Sequence, residues 1–275
     1  MKKDSDKPKN FWHKTFVNYK GFWLVLVVAF VIFAILSMCD SITIFNHEFK
    51  SSKIWPTLTA SHKNETVTDS VAADTVVEVT FPVPVDTVPK KIMFIGDSML
   101  DGLSPRLAAY ANENGHELYS VIWYSSSTEA WGKTDKLESY INELHPDYIF
   151  IALGSNELFI RDIEEKRDQY VKKILADIGD IPYIWIGPPN WKPDTGINDM
   201  LLKNIGPHRY FVTNGMEFPR MRDGAHPTHE AAIGWMDSVM RWMAANSDHP
   251  IKMNFPSEKK GRANHIYMHQ PSEIP

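Results

Sequence analysis

The hydrophobic positions of this chain change rhythm along its length. Between residues 91 and 246, short apolar runs alternate with segments whose apolar positions recur every three or four residues. The first run, KIMFIG at 91–96, predicts a buried strand. The segment after it, 97–114, places Leu100, Leu103, Leu107 and Tyr110 at helical spacing before Gly115 stops it. A strand follows at 118–124, then a helix at 135–144 that ends before His145 and Pro146, then a strand at 148–153. A charged amphipathic helix at 162–178 stops at Gly179, and a fourth strand at 183–187 ends on Pro188 and Pro189. A short helix at 198–204, a fifth strand at 210–213 and a last helix at 229–245 complete the series. Five strands alternating with helices imply an α/β domain of three layers, with a five-stranded parallel sheet covered on both faces. In such sheets ligands bind beyond the C-terminal ends of the strands.

A different rhythm precedes this domain. Residues 21–39 are 19 consecutive uncharged positions, mostly Val, Leu, Ile and Phe. At a rise of about 1.5 Å per residue they reach roughly across a bilayer's hydrocarbon core. Residues 1–20 carry six Lys against Asp4 and Asp6, so the flank before the run is basic and is expected to stay in the cytoplasm. The run is too long for a signal-peptide core and no A-x-A site follows it, so 21–45 is expected to be a transmembrane signal anchor. Leu36-Ser37-Met38-Cys39 resembles a lipoprotein box, but Met38 stands where that motif wants a small residue. Residues 46–90, rich in Thr, Val, Ser, Asp and Pro, read as an extended stalk whose Val-rich centre is able to add an edge strand. Residues 247–275 show no clear periodicity and are expected to lie on the surface as a tail. This order places the globular domain on the periplasmic or extracytoplasmic side of a membrane.

Composition removes several classes of function. The 275 residues carry 29 Lys and Arg against 34 Asp and Glu, a net charge of −5, and residues 91–246 hold 15 basic and 22 acidic side chains. Such a domain lacks the basic face that nucleic acid requires. A single Cys, Cys39, excludes a disulfide framework and a cysteine-based zinc site.

Three loops at expected strand ends carry the chemistry. After the first strand, Gly96-Asp97-Ser98 puts a hydroxyl at a helix N-terminus, where unpaired N–H groups suit a nucleophile and its oxyanion. The same residue types also serve as plain N-caps. After the third strand, Asn156 in Gly154-Ser155-Asn156-Glu157 offers a neutral amide donor, although Gly-Ser-Asn is also ordinary turn chemistry. After the fifth strand, Asp223 precedes His226 by three residues, a spacing at which a carboxylate can orient an imidazole base. What favours function is that three complementary groups fall beyond three different strands.

In these blocks the sequence resembles the SGNH (GDSL-like) hydrolase family over residues 91–246. That resemblance implies a flavodoxin-like sheet, Ser98 as nucleophile, Asn156 as oxyanion donor, and Asp223 with His226 as orienting acid and base. Glu157 stands where the family usually has Asp. The family's second-block Gly has no counterpart in the loop 124–132, so a backbone N–H of Ser126 or Ser127 is expected to replace it beside that of Ser98, with Ser126 preferred. Asp97, Glu157, Trp131 and Trp191 are candidates to line the substrate site; either Trp can stack on a sugar ring, although a Trp on a loop more often completes local packing. No cofactor or metal is implied. The expected activity is hydrolysis of an acyl ester, an O-acetyl group on an envelope or extracellular glycan. Two alternatives are transfer of the acyl group to a polysaccharide, which needs a multi-span membrane partner as donor, and a non-catalytic glycan-binding module.

Overall fold

A computed structural model describes residues 41–44, 47–50 and 83–275. The chain divides into two compact units, Met1–Asp74 and Thr75–Pro275. In the first, β1 (Ser41–Ile44) pairs antiparallel with β2 (His47–Lys50). Of the two segments expected before the domain, β1 falls within 21–45 and β2 within 46–90. Three consecutive β-branched residues, Ile42-Thr43-Ile44, suit a strand better than a helix. The apolar run 21–39 lies outside the described residues, as does the Val-rich centre of the stalk. Among the described residues no helix is long and apolar enough to cross a membrane.

The second unit is a parallel α/β sheet of six strands in the order β7-β6-β5-β3-β4-β8. The strands are β3 (Lys91–Gly96), β4 (Glu117–Trp123), β5 (Tyr148–Ala152), β6 (Tyr183–Ile186), β7 (Tyr210–Phe211) and β8 (His265–His269). Apolar positions point alternately to the two faces and make two cores. Ile92 and Phe94 join Leu103, Leu107, Trp235 and Val239 on one side. Met93 and Ile95 join Trp123, Trp131, Ile151 and Trp185 on the other. The helices covering these faces are α1 (Leu100–Asn114), α2 (Thr128–Gly132), α3 (Lys136–Leu144), α4 (Ile163–Ile178), α5 (Ile197–Ile205) and α6 (His229–Asn246). Gly115 ends α1 in the left-handed region at φ 76°, so the stop read from the sequence has its physical cause.

The sixth strand corrects the five-stranded expectation and comes from the segment assigned to a surface tail. HIYMH at 265–269 is an edge strand, with Ile266 51% and Met268 61% exposed, so no buried apolar run announces it. What delivers it is the path of residues 254–264 over α1. Gly261 N–H donates to the Pro105 carbonyl, and Leu118 N–H donates to the Asn264 side chain at 2.8 Å. A Cβ on Gly261 would sit 2.5 Å from Ala109 N, so only glycine permits that crossing.

The chain enters the sheet at its N-terminal edge. Residues 83–90 run extended, and Asp86 bridges to Ile251 through two backbone bonds of 2.8 Å. From Lys91 the central strand carries the chain to Gly96, roughly 16 Å away at about 3.3 Å per residue. Entry and strand-end loops therefore lie at opposite edges of the sheet.

Candidate active site

The loops after β3 and β7 bring Ser98 and His226 together across 128 positions of sequence. Ser98 Oγ lies 2.8 Å from His226 Nε2, and His226 Nδ1 lies 2.8 Å from Asp223 Oδ2. Asp223 Oδ1 also accepts the backbone N–H groups of Ala225 (2.9 Å) and His226 (3.0 Å). These donors stabilise the ionised carboxylate and hold its pKa down at about 2. An ionised Asp223 accepts a hydrogen bond from Nδ1–H, which leaves Nε2 as acceptor for the Ser98 hydroxyl. Nucleophile, base and orienting acid thus stand in series. Asp223→Asn is expected to lower kcat about 10²–10⁴-fold, by favouring the wrong imidazole tautomer, with little change in KM. Steady-state kinetics on a simple ester check this, and an unchanged kcat would contradict it.

Sharp local geometry presents Ser98. Gly96 ends β3 between Ile122 of β4 and Ala152 of β5. Asp97 then turns inward, and its Oδ1 caps the Met99 N–H at 2.9 Å. The Ser98 N–H has no partner among the described residues, so it is free to hold an oxyanion.

Several expected site residues are placed differently from the sequence reading. Asp97, Glu157 and Trp131 are each fully buried, so none of them lines a substrate cleft. Asp97 Oδ2 instead accepts from Asn156 Nδ2 at 3.3 Å. Glu157 accepts the Thr128 N–H, the Thr128 hydroxyl and Arg167 Nε, each at 2.8 Å, and so pins the loop after β4 to the loop after β5. Trp131 packs edge-on against Trp123 at 5.4 Å and donates its indole N–H to Ser126 Oγ at 3.0 Å. Each is a supporting residue whose polar atoms are consumed within the fold.

The expected oxyanion donor Ser126 is also corrected. Its N–H donates to the Trp123 carbonyl at 3.0 Å in a tight turn that holds Ser125 at φ 59°. Its carbonyl accepts from Asn156 Nδ2 at 2.8 Å. Ser127, the N-cap of α2, keeps its N–H without a partner among the described residues. Asn156 is exposed, with its amide nitrogen between Ser126 O and Asp97 Oδ2. The longer of those two bonds is the one a ligand has to displace.

Burial pushes Asp97 up to about 7, and burial raises Glu157 as well. A carboxyl that holds its proton more tightly in the fold than in the unfolded chain favours folding most in acid. That contribution fades as pH rises from about 4 through about 7. Asp97→Asn is therefore expected to flatten the pH dependence of the urea midpoint between pH 4 and 8. An unaltered slope would contradict this account of the buried carboxyl.

Sequence reasoning missed Arg220, which fastens the histidine loop. Its guanidinium donates to the Ala225 carbonyl, next to His226, and to the carbonyls of Pro189 (3.0 Å) and Asn190 (2.8 Å) on the loop after β6. Nothing in its sequence neighbourhood separates it from a solvated cation; only the fold brings three carbonyls to it. Arg220→Met is expected to lower kcat about 10–100-fold, by loosening His226, while leaving the folded state intact. Kinetics beside a circular dichroism spectrum check this, and wild-type turnover would contradict the clamp.

A cleft of about 380 Å³ opens at Ser98 and His226, with Met99, Met221, Ala232 and Trp235 on its apolar wall. Trp191 stands farther along the same sheet edge, half-buried, its ring 5.6 Å from Phe159. Among known proteins, no family model matches the chain, and no curated protein matches it. A solved structure of the psychrotrophic esterase EstA from Pseudoalteromonas sp., inhibited by monoethylphosphonate, is similar at 16% identity and a TM-score of 0.35. The match covers 56% of this chain and 98% of that one.

Proposed function

We propose that this chain is a serine esterase of SGNH type that hydrolyses an acyl ester, an O-acetyl group on an envelope or extracellular glycan. The observation that carries the reading is the Ser98–His226–Asp223 series, with both links at 2.8 Å. In the first half-reaction, Ser98 Oγ attacks the ester carbonyl carbon as its proton passes to His226 Nε2. The tetrahedral oxyanion is held by the Ser98 N–H, the Asn156 amide and the Ser127 N–H. The C–O bond to the alcohol then breaks, and the alcohol leaves with the proton from His226. In the second half, water gives a proton to Nε2 and attacks the acyl-Ser98 carbonyl; the C–Oγ bond then breaks as Nε2 returns that proton to Oγ, releasing the carboxylic acid and restoring the free serine.

The extracytoplasmic setting rests on the basic flank and the apolar run 21–39. Acyl transfer with the same series is the second reading. Incubation with 4-nitrophenyl acetate is expected to release nitrophenol catalytically. Absence of turnover by the folded protein would contradict the esterase reading.

A further inference from the structure

The cleft at Ser98 is not the largest hollow along the C-terminal edge of the sheet. A groove of about 560 Å³ lies between the loop after β6, the start of α5 and the loop after β7. Its volume falls in the range of small-molecule sites. We propose that this groove is the subsite for the sugar portion of the ester, and that it takes a neutral glycan in preference to a uronic-acid polymer. This inference rests on the esterase reading and adds to it where the alcohol half sits and what charge it carries.

Three observations point there. The first is a support common to the groove and the reacting pair. Arg220 grips the Asn190 and Pro189 carbonyls at the groove wall and the Ala225 carbonyl next to His226, so the groove and the base share one clamp. The second is the chemistry of the walls. Trp191 contributes an aromatic surface, steadied by the Phe159 ring and by the Arg220 guanidinium 5.9 Å from its centroid. A half-buried indole beside an exposed amide matches a sugar, which has an apolar C–H face and hydroxyl edges. Exposed Asn214 accepts from Asn190 Nδ2 at 3.3 Å, while its own amide nitrogen has no partner among the described residues and is free to donate.

The third observation is charge. Half-buried Asp194 lines the groove, and its carboxylate accepts from Asn190 (2.5 Å), Asn198 (2.8 Å) and the Gly196 N–H (2.7 Å). Those bonds fix the groove floor and leave a negative charge on it. The exposed rim carries Asp199 and Glu217 against Lys192 alone. A net negative rim repels a polyanion and tolerates a neutral sugar. The apolar wall at Met99, Met221 and Trp235 is left for the acyl chain, so the two halves of the ester lie in hollows of opposite character.

The test compares kcat/KM for 4-nitrophenyl acetate, O-acetylated xylotetraose and O-acetylated tetragalacturonate in wild type, Trp191→Ala, Asn214→Ala and the double variant Asp199→Asn/Glu217→Gln. The ratio of xylotetraose ester to nitrophenyl ester is expected to fall at least tenfold in Trp191→Ala and about threefold in Asn214→Ala. The double variant is expected to raise the uronate-to-neutral ratio, an effect that added salt reproduces in wild type. Asn214 is exposed and its removal leaves the core untouched, so a fold defect in Trp191→Ala does not decide the matter. Nitrophenyl turnover with unchanged ratios in every variant would overturn the groove alone. No turnover of any ester by wild type would overturn the esterase reading, and this inference with it.

Discussion

Ser98→Ala is expected to abolish ester hydrolysis while leaving the fold intact. The hydroxyl donates one 2.8 Å bond to His226 at the rim of an open cleft, so removing it creates neither a core cavity nor a buried orphan. The catalytic loss is of another order. Residues acting as one unit fail together, and loss of a serine nucleophile costs roughly 10⁶ in kcat in the best-studied serine hydrolase. Rate above background then comes only from the oxyanion donors and binding, about 10³–10⁴ over water. Nitrophenol release by the variant is therefore expected to fall by at least about 10⁴-fold, with an unchanged thermal midpoint. A folded variant retaining a tenth of wild-type turnover would contradict the assignment of Ser98.

The largest effect on stability is expected at Gly96. A Cβ there would sit 2.4 Å from the Ala152 carbonyl oxygen and 2.4 Å from Leu100 Cδ1. The leucine has room to adjust, but the carbonyl belongs to a central strand and accepts the Asp97 N–H at 3.3 Å. Either β5 moves away or the turn into Ser98 opens. Overpacking of this kind costs about 1–3 kcal/mol, and a backbone obstacle places Gly96→Ala at about 3. For a unit of this size that is a fall in thermal midpoint of roughly 6–12 °C. Activity is expected to fall as well, since the turn aims the nucleophile. A melting curve matching wild type would show that the strand end is looser than its packing indicates.

Much of the fold was legible because its signals are local. Apolar runs bounded by Gly or Pro mark β3 to β7, and Gly115 marks the end of α1 where a left-handed residue is required. The strand β8 was not legible because an edge strand buries little, and its place depends on Gly261 crossing α1. The helix α2 is five residues long and lies in a loop rich in Ser and Thr, too short to show a helical period.

The site divides in the same way. Ser98, Asp223 and His226 carry chemistry that residue type and strand-end position announce, and the structure brings them into one hydrogen-bonded series. Side-chain direction is not written in a motif. Asp97 and Glu157 flank the functional positions in sequence yet turn into the core, because the next residue along a turn points elsewhere. Ser126 offered an N–H in the right loop, and only the turn geometry shows that Trp123 already takes it. Arg220 was invisible because its partners are backbone carbonyls on two other loops.

The central claim is that Ser98 is a nucleophile activated by His226. The most direct measurement treats the protein with an alkyl fluorophosphonate and takes its intact mass. Attack by Ser98 Oγ forms an O–P bond, fluoride departs, and the hydroxyl proton leaves through His226. The account predicts one phosphonyl group per chain, mapped to the peptide that contains Ser98, and no adduct in Ser98→Ala. An unmodified wild-type protein, or an equal adduct in the variant, would contradict it.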